Sequence, residues 1–337
     1  MRSRKTIKLV SSAIAILAFA ASVYYIASRF QWREVFTTLF KADFLKLIVL
    51  LTLTHFAYIV VRAWRWRSAI RHVIPKVAFL DYYWITAVVV SLAMFTPGRL
   101  GEAFKIEVMK RRGLLGRLPG IGAFALERIM DLVMVSSMAA IGLVFGAFAA
   151  PYPGWKAGAV LLVGLGIVAL CGLLFFDPGG RTSLWLAQLR CGGSRKTWAQ
   201  MAFLTFLGWL LVAINWQISL NAVQIHLALS QVFLLVSLVT IGAFLSFIPG
   251  GLGVSELVTT AVLTNMGVVA VTAQAGALIL HAYGFIMIFF GLVHLGLWPI
   301  YEAHSHRCQV KSEEYADSAT LIDRTQGSAR EVGSEEF

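Results

Sequence analysis

The chain has 337 residues, 58% of them hydrophobic and only 14% charged, with a formal net charge of +12. Soluble domains carry about 45–50% apolar and about 25% charged residues, whereas here apolar stretches long enough to cross a bilayer recur from end to end. A soluble enzyme, a disulfide-stapled secreted domain and a disordered chain are excluded, and an outer-membrane barrel of short alternating strands does not fit. The expected fold class is an all-α polytopic membrane protein.

Charge is unevenly spread. Residues 1–301 carry a net +16 and residues 302–337 a net −4. The basic excess flanks apolar segments, where cytoplasmic Lys and Arg fix orientation, so no nucleic-acid partner is expected. Cys171, Cys191 and Cys308 are too scattered for a disulfide framework. His304, His306 and Cys308 lie close together on a polar tail without a full ligand set, and neither a metal nor a cofactor is expected.

The basic start, Arg2 to Lys8, precedes an apolar run over residues 9–27. That run is too long for a signal-peptide core and reads as an uncleaved first helix with its N-terminus inside. A second span covers residues 45–61 and ends in Arg62-Ala63-Trp64-Arg65-Trp66-Arg67. Arg and Trp together mark a cytoplasmic interface, so Arg62, Arg65 and Trp66 are expected to anchor there, with contact to lipid headgroups as the sharper alternative. Residues 81–96 are apolar and stop at Thr96-Pro97-Gly98, just before Arg99, Lys105, Lys110, Arg111, Arg112 and Arg117. Crossing the membrane would put those six cations outside. A re-entrant hairpin turning at Pro97–Gly101 keeps them inside.

Spans follow at residues 121–149, 157–176 and 201–220. Residues 232–248 then lead into Pro249-Gly250-Gly251-Leu252-Gly253, residues 254–266 follow, and the last span covers residues 274–300. This topology puts both termini in the cytoplasm and leaves Arg29, Arg33, Lys41, Lys46 and Lys156 as the cations outside. Residues 1–301 form the transmembrane domain, and residues 302–337 read as a disordered cytoplasmic tail.

Phe95-Thr96-Pro97-Gly98-Arg99-Leu100-Gly101 and Phe247-Ile248-Pro249-Gly250-Gly251-Leu252-Gly253 are identical at five of seven positions. Each is followed by a carboxylate, Glu102 or Glu256. The topology sends the two copies in from opposite faces, as in transporters with inverted repeats and broken helices near the midplane. A broken helix offers unpaired N–H groups that can hold a phosphate or carboxylate; the alternative is a pair of kinks in packed helices. In Glu127-Arg128-Ile129-Met130-Asp131-Leu132, Glu127 and Asp131 share a helix face and Arg128 reaches Asp131. Charges inside a span face a pathway or one another, so an internal ion pair and a substrate contact are both open.

Taken together and in this order, the Arg62–Trp66, Pro97–Glu102, Glu127–Leu132 and Pro249–Glu256 motifs resemble the lysylphosphatidylglycerol synthase transmembrane-region family, also called flippase-like integral membrane proteins. The resemblance implies movement of a polar or anionic lipid between leaflets of a bacterial plasma membrane. It makes Pro97, Gly98, Arg99, Gly101, Glu102, Glu127, Arg128, Asp131, Pro249, Gly250, Gly251, Gly253 and Glu256 the candidate substrate-contacting residues. His281 stands where the family often has a late Arg. The soluble aminoacyl-transfer domain of full-length synthases has no counterpart in these residues, so synthesis of lysyl-phosphatidylglycerol is not expected. Two other functions fit less: an intramembrane hydrolase using Ser255 and His281, which lacks a Gly-x-Ser-x-Gly elbow, and a non-catalytic partner of a lipid- or glycan-modifying enzyme.

Overall fold

The computed structural model describes residues 20–21, 24–75, 77–146, 195–246, 248 and 251–332, with the side chains of these except at 97–99, 195, 245–246 and 304–332. Most of the expected first helix, the span at 157–176 and the basic loop at 177–194 lie outside the described residues. Every regular element described is helical: α1 (Trp32–Leu39), α2 (Phe44–Ile70), α3 (Phe79–Leu92), α4 (Phe104–Arg111), α5 (Arg117–Phe145), α6 (Arg195–Ala222), α7 (Leu229–Ser246), α8 (Val254–Asn265) and α9 (Ala270–Val332). Stretches within α2, α5, α6 and α9 are long and apolar enough to cross a membrane.

Helix α2 runs further than expected. Asp43 caps its start by accepting from the Lys46 N–H at 3.0 Å, and the helix continues unbroken through Arg62–Arg67 to Ile70. Its 27 residues measure about 40 Å, longer than a hydrocarbon core of about 30 Å. Between α3 and α4 the chain tightens into 3₁₀ turns at Ala93–Phe95 and Pro97–Ala103. The Thr96 hydroxyl accepts from the Gly101 N–H at 2.7 Å. A Cβ on Gly101 would stand 2.8 Å from the Leu92 carbonyl oxygen, which is why the motif closes on glycine. In the second motif Gly251 and Gly253 take φ of +66° and +88°, backbone that side chains resist.

Packing follows membrane rules, with small residues and buried hydroxyls bringing helices together. Ser237 donates to the Val135 carbonyl at 2.9 Å, joining α7 to α5. Ser91 donates to the Met287 carbonyl at 2.6 Å, joining α3 to α9. Thr54 and Asn215 hydrogen-bond between α2 and α6. The shared apolar core is built from Tyr58 and Ile59, Val90, Leu235 and Val239, Leu263 and Tyr283. Leu53, Phe285 and Phe289 remain well exposed, as lipid-facing side chains must be.

Two ends of the first Pro-Gly excursion meet: Arg112, just after α4, pairs with Asp81, at the start of α3, at 3.0 Å. Residues Met1–Gly291 form one compact unit and Leu292–Phe337 another. In the second unit the helix persists to Val332. Its residues 303–326 contain neither Gly nor Pro, and helix-favouring Ala, Glu, Lys and Arg recur through them.

Candidate functional site

The Arg-Trp motif at the end of α2 turns its side chains into the protein. Arg62, Arg65 and Trp66 are buried, Trp66 completely. Their burial leaves little of these three side chains to present to a headgroup. Three carboxylates stand opposite the two guanidinium groups, and burial of paired ions outweighs the pull of an Arg-Trp cluster toward water.

The pairing is dense. Arg65 makes a two-pronged contact with Asp131, NH1 to Oδ1 at 2.6 Å and NH2 to Oδ2 at 3.3 Å. Its Nε donates to Glu127 Oε1 at 3.1 Å. The other Glu127 oxygen takes Lys105. Arg62 pairs with Glu102 and donates to the Tyr58 hydroxyl at 2.9 Å. Arg128 NH2 lies 2.7 Å from Glu102 Oε2 and 2.9 Å from Asp131 Oδ2. Four cations thus face three carboxylates among the described residues, gathered from α2, the 3₁₀ turn, α4 and α5. Trp209 of α6 donates to Asp131 Oδ1 at 3.0 Å, and Thr205 lies 3.3 Å from Arg65. Rings complete the shell: Lys105 Nζ sits 3.9 Å from the Trp66 centroid, and the Arg128 guanidinium 5.1 Å from that of Phe124.

Arg128 differs from its neighbours. Its side chain keeps 23% of its surface accessible, against 3% for Arg65. Its Nε is buried without a hydrogen-bond partner among the described residues. Arg128 thus keeps both accessible surface and an unused donor.

A second cluster surrounds the second Pro-Gly turn. Glu256 Oε2 accepts from the Gly253 N–H at 2.7 Å and lies 2.9 Å from the Ser255 hydroxyl. Oε1 lies 2.7 Å from His281 Nε2 on α9. Ser255 is also 2.8 Å from the Gly251 carbonyl, so Ser255 and His281 meet on Glu256 rather than as a nucleophile and its base. Between the two clusters lies a cavity of about 130 Å³. Tyr58 and Trp209 form its wall toward the ion network; Ser255, Thr259 and His281 form the wall toward Glu256.

The structure therefore brings Glu102, Glu127, Arg128 and Asp131 together, and adds Arg62 and Arg65. Gly251, Gly253, Glu256 and His281 form the other group. Pro249 and Gly250 lie outside the described residues, as do the side chains of Pro97, Gly98 and Arg99. Lys105, Tyr58 and Trp209 were not singled out by the sequence. Lys105 follows Glu102 by three residues, a helical spacing that could have flagged it. Nothing local marks Trp209, whose role comes from the packing of α6.

A family model described as "Lysylphosphatidylglycerol synthase TM region" matches residues 9–291. A search of curated proteins gave no match.

Proposed function

The chain belongs to the lysylphosphatidylglycerol synthase TM region family, and from that premise we propose that it carries a polar or anionic phospho- or glycolipid between leaflets of a bacterial inner membrane. One observation carries this reading: four cations and three carboxylates are buried in an apolar helical chain, behind Tyr58 and Trp209 in the wall of a cavity. Ionisable groups within spans are costly and mark pathways. A network serving stability alone could be replaced by apolar packing at little cost.

In this reading the headgroup enters the cavity while its acyl chains stay in lipid. A phosphate that passes the Tyr58 and Trp209 wall displaces Glu102 from Arg128 and Arg62, whose planar donors suit it. Glu102, Glu127 and Asp131 hold the guanidinium groups in place before it arrives. The two Pro-Gly excursions act as re-entrant halves of an inverted repeat. Their support is geometric: Asp81 and Arg112 tie the ends of the first, and Ile225 and Leu263, flanking the second, both abut Gly276. Both termini are cytoplasmic in this topology.

The test is leaflet-resolved lipid analysis of cells lacking the protein, complemented with wild type or Arg128→Ala. A lipid that keeps its total amount but disappears from one leaflet supports transport. Arg128→Ala is expected to insert normally and fail to restore the distribution, and Arg128→Lys to fail as well, since an ammonium cannot offer a phosphate the planar paired donors of a guanidinium. Loss of the lipid from both leaflets would instead place the protein in synthesis, alongside a lipid- or glycan-modifying enzyme.

A further inference from the structure

The carboxylates of the first network face Lys105 and three arginines, and the guanidinium groups hold their charge across the physiological range. Glu256 is buried too, but the base it meets is an imidazole. Both its oxygens are engaged: one caps α8 through the Gly253 N–H, the other meets His281. One titratable contact therefore ties the Pro-Gly turn to α9 at the cavity wall, and about a quarter of the His281 side chain stays accessible.

The surroundings sharpen the contrast. The ionisable groups facing His281 are Glu256 on α8, Tyr58 on α2 and Tyr283 on α9, with His55 behind Tyr283. Arg62 stands behind Tyr58 and Asp131 behind Trp209. Met94, before the first Pro-Gly turn, and Thr240 of α7 carry no charge. No Lys or Arg lines the cavity among the described residues. A cap for α8 needs only the carboxylate and the backbone; an imidazole from another helix, opening on the cavity, adds a charge that comes and goes.

We propose that His281 and Glu256 form a proton-binding site that couples lipid movement to a pH gradient. With His281 protonated, the ion pair clamps the second Pro-Gly turn to α9. When the proton leaves, the charge pairing is lost and the turn can move relative to α9. The proton arrives on and departs from the imidazole nitrogen, and no other bond is made or broken. The coupling rests on the transport reading above; proton binding at the pair does not.

Tryptophan emission reports the site, because Trp209 and Trp216 line the same cavity. The purified full chain in detergent is expected to show a step in emission as pH is varied. His281→Gln and His281→Arg should both lose it. His281→Arg keeps a cation for Glu256, so its unchanged elution on size exclusion separates loss of the proton site from misfolding. A step that survives in both variants overturns the proposal.

Vesicles of phosphatidylethanolamine and phosphatidylglycerol containing tail-labelled phosphatidylglycerol or glycolipid then test coupling. A pH gradient should accelerate wild-type movement, and His281→Arg should be blind to it. Wild-type movement that ignores the gradient overturns the coupling and leaves the transport reading standing. A His281-dependent step with no movement of either lipid supports the proton site and counts against transport of these lipids.

Discussion

Glu127 sits completely buried between Arg65 and Lys105. Removing its charge leaves two cations short of a partner in a low-dielectric interior, a change that costs about 3–5 kcal/mol. Glu127→Gln is therefore expected to lower the unfolding midpoint of the detergent-solubilised protein sharply. The double variant Glu127→Gln/Lys105→Met removes one stranded charge and should recover part of the loss; a double variant less stable than the single one would sink this account. The exposed contact of Glu107 with Arg111 and Arg117 is the contrast. Hydrogen bonds from Arg117 and Arg111 hold the Glu107 carboxyl below the usual range, so this contact persists at neutral pH and is lost only as pH falls through that lowered value. Glu107→Gln should leave the midpoint unmoved at neutral pH. Residue identities alone suggested the Glu127–Asp131 face and the Arg128–Asp131 pair, because both follow from helical spacing. They did not reveal the pairing of Arg62 and Arg65, since a basic aromatic cluster at the end of an apolar run shows nothing of partners 40 to 66 residues away.

The helices were legible from apolar run length, and their breaks from Pro-Gly. What the chain did not reveal is which helices touch, because small residues are frequent in spans whether or not they sit at contacts. Gly142 of α5 is one that does: a Cβ there would lie 2.5 Å from the Leu234 Cβ and 2.7 Å from the Ser230 carbonyl oxygen of α7. Gly142→Ala is expected to force α5 and α7 apart at about 1–3 kcal/mol. Gly208→Ala on α6 is the control, since its Cβ would meet only Val61 at an ordinary 3.9 Å. Thermal unfolding in detergent distinguishes them, and equal midpoints would refute the close α5–α7 contact. The Pro-Gly motifs teach a related point. They are identical at five of seven positions, yet Glu102 joins arginines on other elements while Glu256 caps its own helix and takes a histidine. Similarity of the turns said nothing of this, because the carboxylates follow their prolines by different distances.

At the scale of the molecule the open question is sidedness. If residues 79–111 crossed the membrane, Arg71 and Arg111 would face opposite solutions, and the dense cations after α4 would sit outside against the orientation bias. The Asp81–Arg112 pair argues that the excursion returns to the side it left. Helix α2 supplies the ruler: Lys41 and Arg71 flank its two ends, about 45 Å apart at 1.5 Å per residue. Asn221 and Lys41 border the same groove at the far end from Arg71. With Cys171, Cys191 and Cys308 replaced by Ser, single cysteines read the faces. Lys41→Cys and Asn221→Cys should react with an impermeant maleimide in intact cells, and Arg71→Cys and Arg111→Cys only after lysis. Reaction of Arg111→Cys in intact cells, with Arg71→Cys protected, would make α3 and α4 a full crossing. That result would remove the re-entrant hairpin and the inverted repeat built on it. The buried ion pairs would remain, but the two Pro-Gly turns would no longer approach the cavity from opposite faces.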